Sequence, residues 1–173
     1  MTTKKERKQQ RRAKKRKAQR VAQPSGQQML LRRAQRSDAL QNVQIVVNPG
    51  DTEKMSDVIL RFAAPLLHGA DGIVEKNVIR FAIGVWNASL LPPPAQAEAL
   101  KSIVEILPEG DQDARRELVA AMYTLLARKQ TYFADNTRVI LDYQITQSRD
   151  MLHLDVVSTL GQDYLQTRKP VLP

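Results

Sequence analysis

The sequence predicts an α+β domain: about four amphipathic helices packed with a small antiparallel sheet, preceded by a disordered basic arm. Three observations carry this. Between residues 51 and 130, apolar side chains recur at i, i+3, i+4 and i+7 in stretches separated by Pro or Gly. From residue 139 the pattern switches to alternation. Residues 1–36 hold 14 Lys or Arg and a single acid, Glu6, with few apolar residues to bury.

The net charge of +9 over 173 residues is therefore unevenly spread. Residues 1–36 sum to +13, and the other 137, with 13 bases and 17 acids, to −4. The chain divides into a disordered arm (1–26), a connector that can be helical (27–42), a globular domain (43–160) and a loose tail (161–173). The absence of cysteine excludes a disulfide scaffold, a cysteine-ligated zinc or iron–sulfur site and a thiol nucleophile. No apolar run approaches the roughly 18–20 residues of a membrane span. The basic start leads into no apolar signal core, and its Lys-rich composition argues against a transit peptide. A cytoplasmic location is expected.

Each element has a local cause. The arm, TKKERKQQRRAKKRKAQR from Thr3 to Arg20, contains good helix formers, but like charges at i,i+4 repel and no face is apolar. Gln23-Pro24-Ser25-Gly26-Gln27 makes a hinge by composition. Met29, Leu30, Leu31, Ala34 and Leu40 give Gln27–Gln41 a weak helical stripe. Val43–Val47 is a short β-rich run, and Asn48-Pro49-Gly50-Asp51 turns the chain. Asp51 or Thr52 then caps a helix with Met55, Val58, Ile59, Phe62, Ala63, Leu66 and Leu67 inward; Pro65 kinks or ends it. Asp71 caps a second helix, Ile73–Leu90, whose stripe of Val74, Val78, Phe81, Ala82, Val85, Trp86 and Leu90 is widened by Ile79 and Ile83. So broad an apolar surface predicts a central helix packed on two sides. Pro92-Pro93-Pro94 separates it from a third, Ala95–Leu107, with Ala99, Leu100, Ile103, Val104 and Leu107 inward. Asp111 or Asp113 caps a fourth, running to about Gln130, with Leu118, Ala121, Met122, Leu125 and Leu126 inward. Arg128 and Lys129 complement its C-terminal dipole.

The alternation after Val139 predicts a hairpin turning at Ser148-Arg149. It pairs Ile145 with Leu152, Tyr143 with Leu154 and Leu141 with Val156, with Val43–Val47 as a possible early third strand. In that register Asp142 faces Asp155 and Gln144 faces His153.

The chemistry lies in the charges. Lys4, Lys5, Arg7, Lys8, Arg11, Arg12, Lys14, Lys15, Arg16, Lys17 and Arg20, extended by Arg32, Arg33 and Arg36, form a surface for a polyanion. Arg forks onto phosphates and Lys acts as a point charge. No aromatic residue precedes Phe62, so the arm can read a backbone or a shape but cannot stack on bases. Nucleic acid is the expected partner. RNA is favoured over DNA, because a basic arm on a small body suits insertion between the helices of a ribosome-like particle. A nuclear-localisation or solubility tail and an anionic membrane surface are the competing readings of the arm. Deleting residues 1–36 is expected to abolish binding and leave the body folded.

Other candidates are weaker. Asp142, His153 and Asp155 could hold a divalent metal, which would suit a nuclease; two solvated acids on a sheet face are the plain alternative. His68 reads as a helix cap, Trp86 as core, and Asn87 as a loop contact or a solvated residue. Tyr123, Tyr132 and Phe133 read as a cover for the hairpin or as a small exposed patch. There is no G-x-S-x-G elbow and no Gly-rich phosphate loop, so no catalytic residue and no cofactor are expected. The leading reading is a non-enzymatic nucleic-acid-binding accessory protein, RNA- or ribosome-associated. The alternatives are a protein–protein adaptor with a localising tail and, last, the nuclease.

Overall fold

The computed structural model describes residues 26–36, 53–107, 111–148 and 151–159. They form α1 (Gly26–Arg36), α2 (Met55–Leu67), α3 (Gly72–Ala88), α4 (Pro93–Val104), α5 (Gln112–Tyr132), β1 (Ile140–Ser148) and β2 (Met151–Ser158). The architecture is α+β, with β1 and β2 as an antiparallel pair. None of these helices is long and apolar enough to cross a membrane. The arm, the Val43–Val47 run and the tail lie outside the described residues.

The periodicity of α2 translates directly into burial. Met55, Val58, Ile59, Phe62 and Ala63 are buried, with Leu66 and Leu67 packed against the same cluster. The helix begins later than its sequence suggests: Lys54 occupies the N-cap, with no side-chain hydrogen bond, and Asp51 and Thr52 lie outside the described residues. Pro65 stays inside the helix and neither ends it nor leaves it unsupported. Its missing N–H deprives the Arg61 carbonyl of its helical donor. Arg128, reaching over from α5, donates from Nη2 to Arg61 O at 3.0 Å and from Nε to Phe62 O at 3.3 Å. Gly69, at φ +76°, turns the chain out of α2 in a left-handed conformation that favours glycine.

Helix α3 is central, meeting α2, α4, α5 and β1. Ile79, Ala82, Ile83, Val85 and Trp86 are buried, and Val78, Phe81 and Leu90 pack against them. Val74, expected inward, is exposed. Gly84 lets α4 approach closely: a Cβ there would stand 3.3 Å from Ile103 Cδ1. Helix α4 starts at Pro93, with Pro92 as N-cap, and buries no residue fully, so it is a peripheral layer. Asp111 caps α5, accepting from Ala114 N–H at 3.0 Å.

At the centre, Phe62, Trp86 and Phe133 meet edge to face. Their centroids lie 5.2 Å apart for Phe62–Trp86 and 5.8 Å for each pair with Phe133. Phe133 thus belongs to the core and not to a surface patch. Tyr123 and Tyr132 are both exposed, but nine residues apart on a helix they face opposite ways.

The hairpin register differs from expectation. Ile145 pairs with Leu154 and Tyr143 with Val156, and Ser148 pairs with Met151 across residues 149–150. A two-residue slip leaves every side chain on the same face, so apolar pairing alone could not choose between the registers. A bulge between Ile140 and Asp142 then inserts Leu141 as an extra residue. Ile140 takes the buried position expected for Leu141.

Lys129 is the other departure. Expected only as a complement to the helix C-terminal dipole, it is 6% exposed. Its Nζ donates to Phe133 O at 2.8 Å and stands 4.7 Å from the Trp86 ring centroid. Burial pushes its pKa below the ordinary lysine value of 10.5, and Asp135 opposes the shift.

Two outcomes are expected. Arg128→Met should cost on the order of 1–3 kcal/mol in urea denaturation, and distinctly less in a Pro65→Ala background, where the restored N–H serves the Arg61 carbonyl. Between the lowered Lys129 pKa and 10.5, the unfolded chain holds a proton that the folded chain has lost. Raising pH through that window therefore stabilises the fold relative to a Lys129→Met variant. Paired stability–pH curves should diverge in that direction, and the difference should be flat below the window.

Candidate nucleic-acid interface

Helix α1 attaches the basic segment to the body. It crosses the hairpin and touches both strands. Leu30 is its apolar anchor, 2% exposed. By strand alternation Asp142 points away from the face that Tyr143 and Ile145 turn to the core, and α1 lies on the Asp142 side. Arg33, one turn from Leu30, forks onto both carboxylate oxygens of Asp142 through Nε and Nη2. Nη2 also donates to Tyr143 O at 3.0 Å. The Asp142 carboxylate in turn accepts from Tyr143 N–H at 2.9 Å. The hydrogen bond to Asp142 is the main reason the Arg33 pKa is raised. The side chains remain 56% and 23% exposed, so water and salt screen the pair.

Arg32 and Arg36 are also exposed and lie on the side of α1 away from Leu30. Neither has an acidic partner among the described residues. Of the fourteen sequence-predicted cationic residues, α1 therefore presents two away from the hairpin and pairs Arg33 with Asp142. The eleven from Lys4 to Arg20 lie outside the described residues.

The hairpin acids do not stand as the sequence suggested. In the observed register Asp142 is opposite Val157, Gln144 opposite Asp155, and Thr146 opposite His153. The expected Asp142–Asp155 repulsion is absent, and Arg33 holds Asp142. No group of three His, Asp or Glu side chains among the described residues is arranged to take a metal ion. His68 sits exposed at the C-cap of α2.

Two residues that position this surface carried little or no sequence signal. Asn87 treats the start of β1 as a strand would: Nδ2 donates to Ile140 O, and Oδ1 accepts from Ile140 N–H, both at 2.9 Å. Its neighbour Trp86 donates from Nε1 to Arg138 O at 2.9 Å. Arg138 donates to Glu53 O at 2.8 Å, Ser158 Oγ at 2.9 Å and Thr159 O at 3.2 Å, pinning the entry to α2 against the end of β2. Burial lowers its pKa, and Glu53 counters this. Only the position of Asn87 beside a core Trp marked it; nothing in the spacing marked Arg138.

Comparison with protein-family models, with characterised proteins and with solved structures finds no match to this chain.

The exposed Arg33–Asp142 pair should contribute about 0.2–1 kcal/mol. Arg33→Gln is expected to leave the denaturation midpoint nearly unchanged while amide exchange within α1 quickens several-fold. Unchanged α1 exchange would show that Leu30 alone docks the helix.

Proposed function

We propose that this protein binds nucleic acid, RNA in preference to DNA, through phosphate contacts and without catalysing a reaction on it. The observation that carries this reading is the charge asymmetry: 14 bases against one acid in residues 1–36, on a body of −4. Such a density of cations gains affinity by releasing counterions from a phosphate backbone. Arg32 and Arg36, turned outward with no acidic partner among the described residues, add to it at the point where the segment joins the body. The body would then give placement on a larger particle such as the ribosome, or recruit a protein.

The docking of α1 refines the truncation test. Removing residues 1–36 would also remove Leu30 and uncover the sheet face, whereas removing residues 1–25 leaves α1 in place. The shorter truncation should lose most RNA affinity and keep its thermal midpoint within a few degrees. For the full chain, about six phosphate contacts imply a fall in affinity of roughly three orders of magnitude between 50 and 200 mM salt. Equal binding by the truncated and full chains at the same salt would refute the reading. Nuclease-resistant co-purification with a protein would favour an adaptor.

A further inference from the structure

The arm has no aromatic residue, so any contact with bases falls to the body, and the corner between α2 and the end of α5 is equipped for it. Tyr132 is 69% exposed. One helical turn before it, the Arg128 guanidinium lies 5.3 Å from its ring centroid. That guanidinium is not free to wander, because it is fixed by the Arg61 and Phe62 carbonyls of α2. The ring therefore rests on an immobilised cation. Arg61 flanks the corner, 5.9 Å from the Phe133 centroid and paired with Glu53 at 2.5 Å. Tyr123, comparably exposed on the opposite side of α5, has no cation over its ring among the described residues.

We propose that Tyr132, backed by Arg128, is a stacking platform for an unpaired base of a single-stranded nucleic acid. The proposal rests on the nucleic-acid reading above and adds to it a preference for single strands. An aromatic ring offers its face to any base, and a guanidinium behind it strengthens the contact through the π-system. Fixing the guanidinium spares part of the ordering cost that a mobile surface side chain would incur. A base inside a duplex, stacked on both sides, cannot use the ring, and a blunt 16-mer duplex offers a free face only at its two end pairs. The arm holds single and double strands alike through phosphates, and Tyr132 distinguishes them.

The test measures fluorescence anisotropy of the full-length chain with an end-labelled single-stranded RNA 16-mer and with the blunt duplex of the same sequence. The variants are Tyr132→Ala and Tyr132→Phe, and near-ultraviolet dichroism of Trp86 reports the fold. Tyr132→Ala should weaken single-strand binding by roughly 10- to 100-fold, leave duplex binding unchanged and keep the Trp86 signal. Tyr132→Phe, which keeps the ring, should bind as the parent does. Equal single-strand affinity of Tyr132→Ala and parent, or equal losses on both probes, would overturn the platform and leave the arm's role standing. A parent chain that binds neither probe would overturn the nucleic-acid reading itself, and the platform with it.

Discussion

The edge-to-face meeting of Phe62, Trp86 and Phe133 is the contact on which the rest of the body depends. Each ring comes from a different part of the chain: α2, α3, and the residue that ends α5. Each pair adopts the edge-to-face geometry that the ring quadrupoles favour, at interplanar angles of 82°, 90° and 73°. The polar chemistry of the body is arranged around the same point. Trp86 also holds the strand entry through Arg138 O. The Lys129 ammonium lies over the indole and accounts for the Phe133 carbonyl. A cation so placed is costly to bury, and the carbonyl and the ring face offset that cost.

Much of this was legible in the residues. The stripe of α2 named its buried set, and the breadth of α3 announced a helix with neighbours on several sides. The alternation after Val139 located both strands. What could not be read depended on geometry that no local pattern encodes. Two hairpin registers bury the same faces, and only the chain's path into the strand, with its bulge at Leu141, separates them. Pro65 signalled a break by its own chemistry; the donor that makes it tolerable lies 63 positions away. Lys129 resembled any cation at a helix end, because its depth depends on where Phe133 turns the chain. Composition identified the cations, while their different orientations on α1 became visible only once Asp142 was placed.

That difference changes the meaning of the basic segment. A tail joined through a hinge alone would hold its charges at no fixed distance from the body. Here the segment is held by an apolar anchor at Leu30 and an ionic fork at Arg33. The first cations beyond the body, Arg32 and Arg36, consequently have a fixed orientation relative to the sheet. The orientation of these two cations and the position of the body are coupled through one short helix.

Asn87 has a consequence of another kind. A two-stranded sheet exposes unpaired N–H and C=O groups along its outer sides, a template on which strands of other molecules can add. At Ile140 both groups are already occupied by the Asn87 amide, and further along the same strand the Tyr143 carbonyl is occupied by Arg33. These contacts, which look like docking bonds within one molecule, also deny β1 to its neighbours. A strand arriving from another molecule would meet side chains at both places where it needs free backbone groups, so it could not pair continuously along β1.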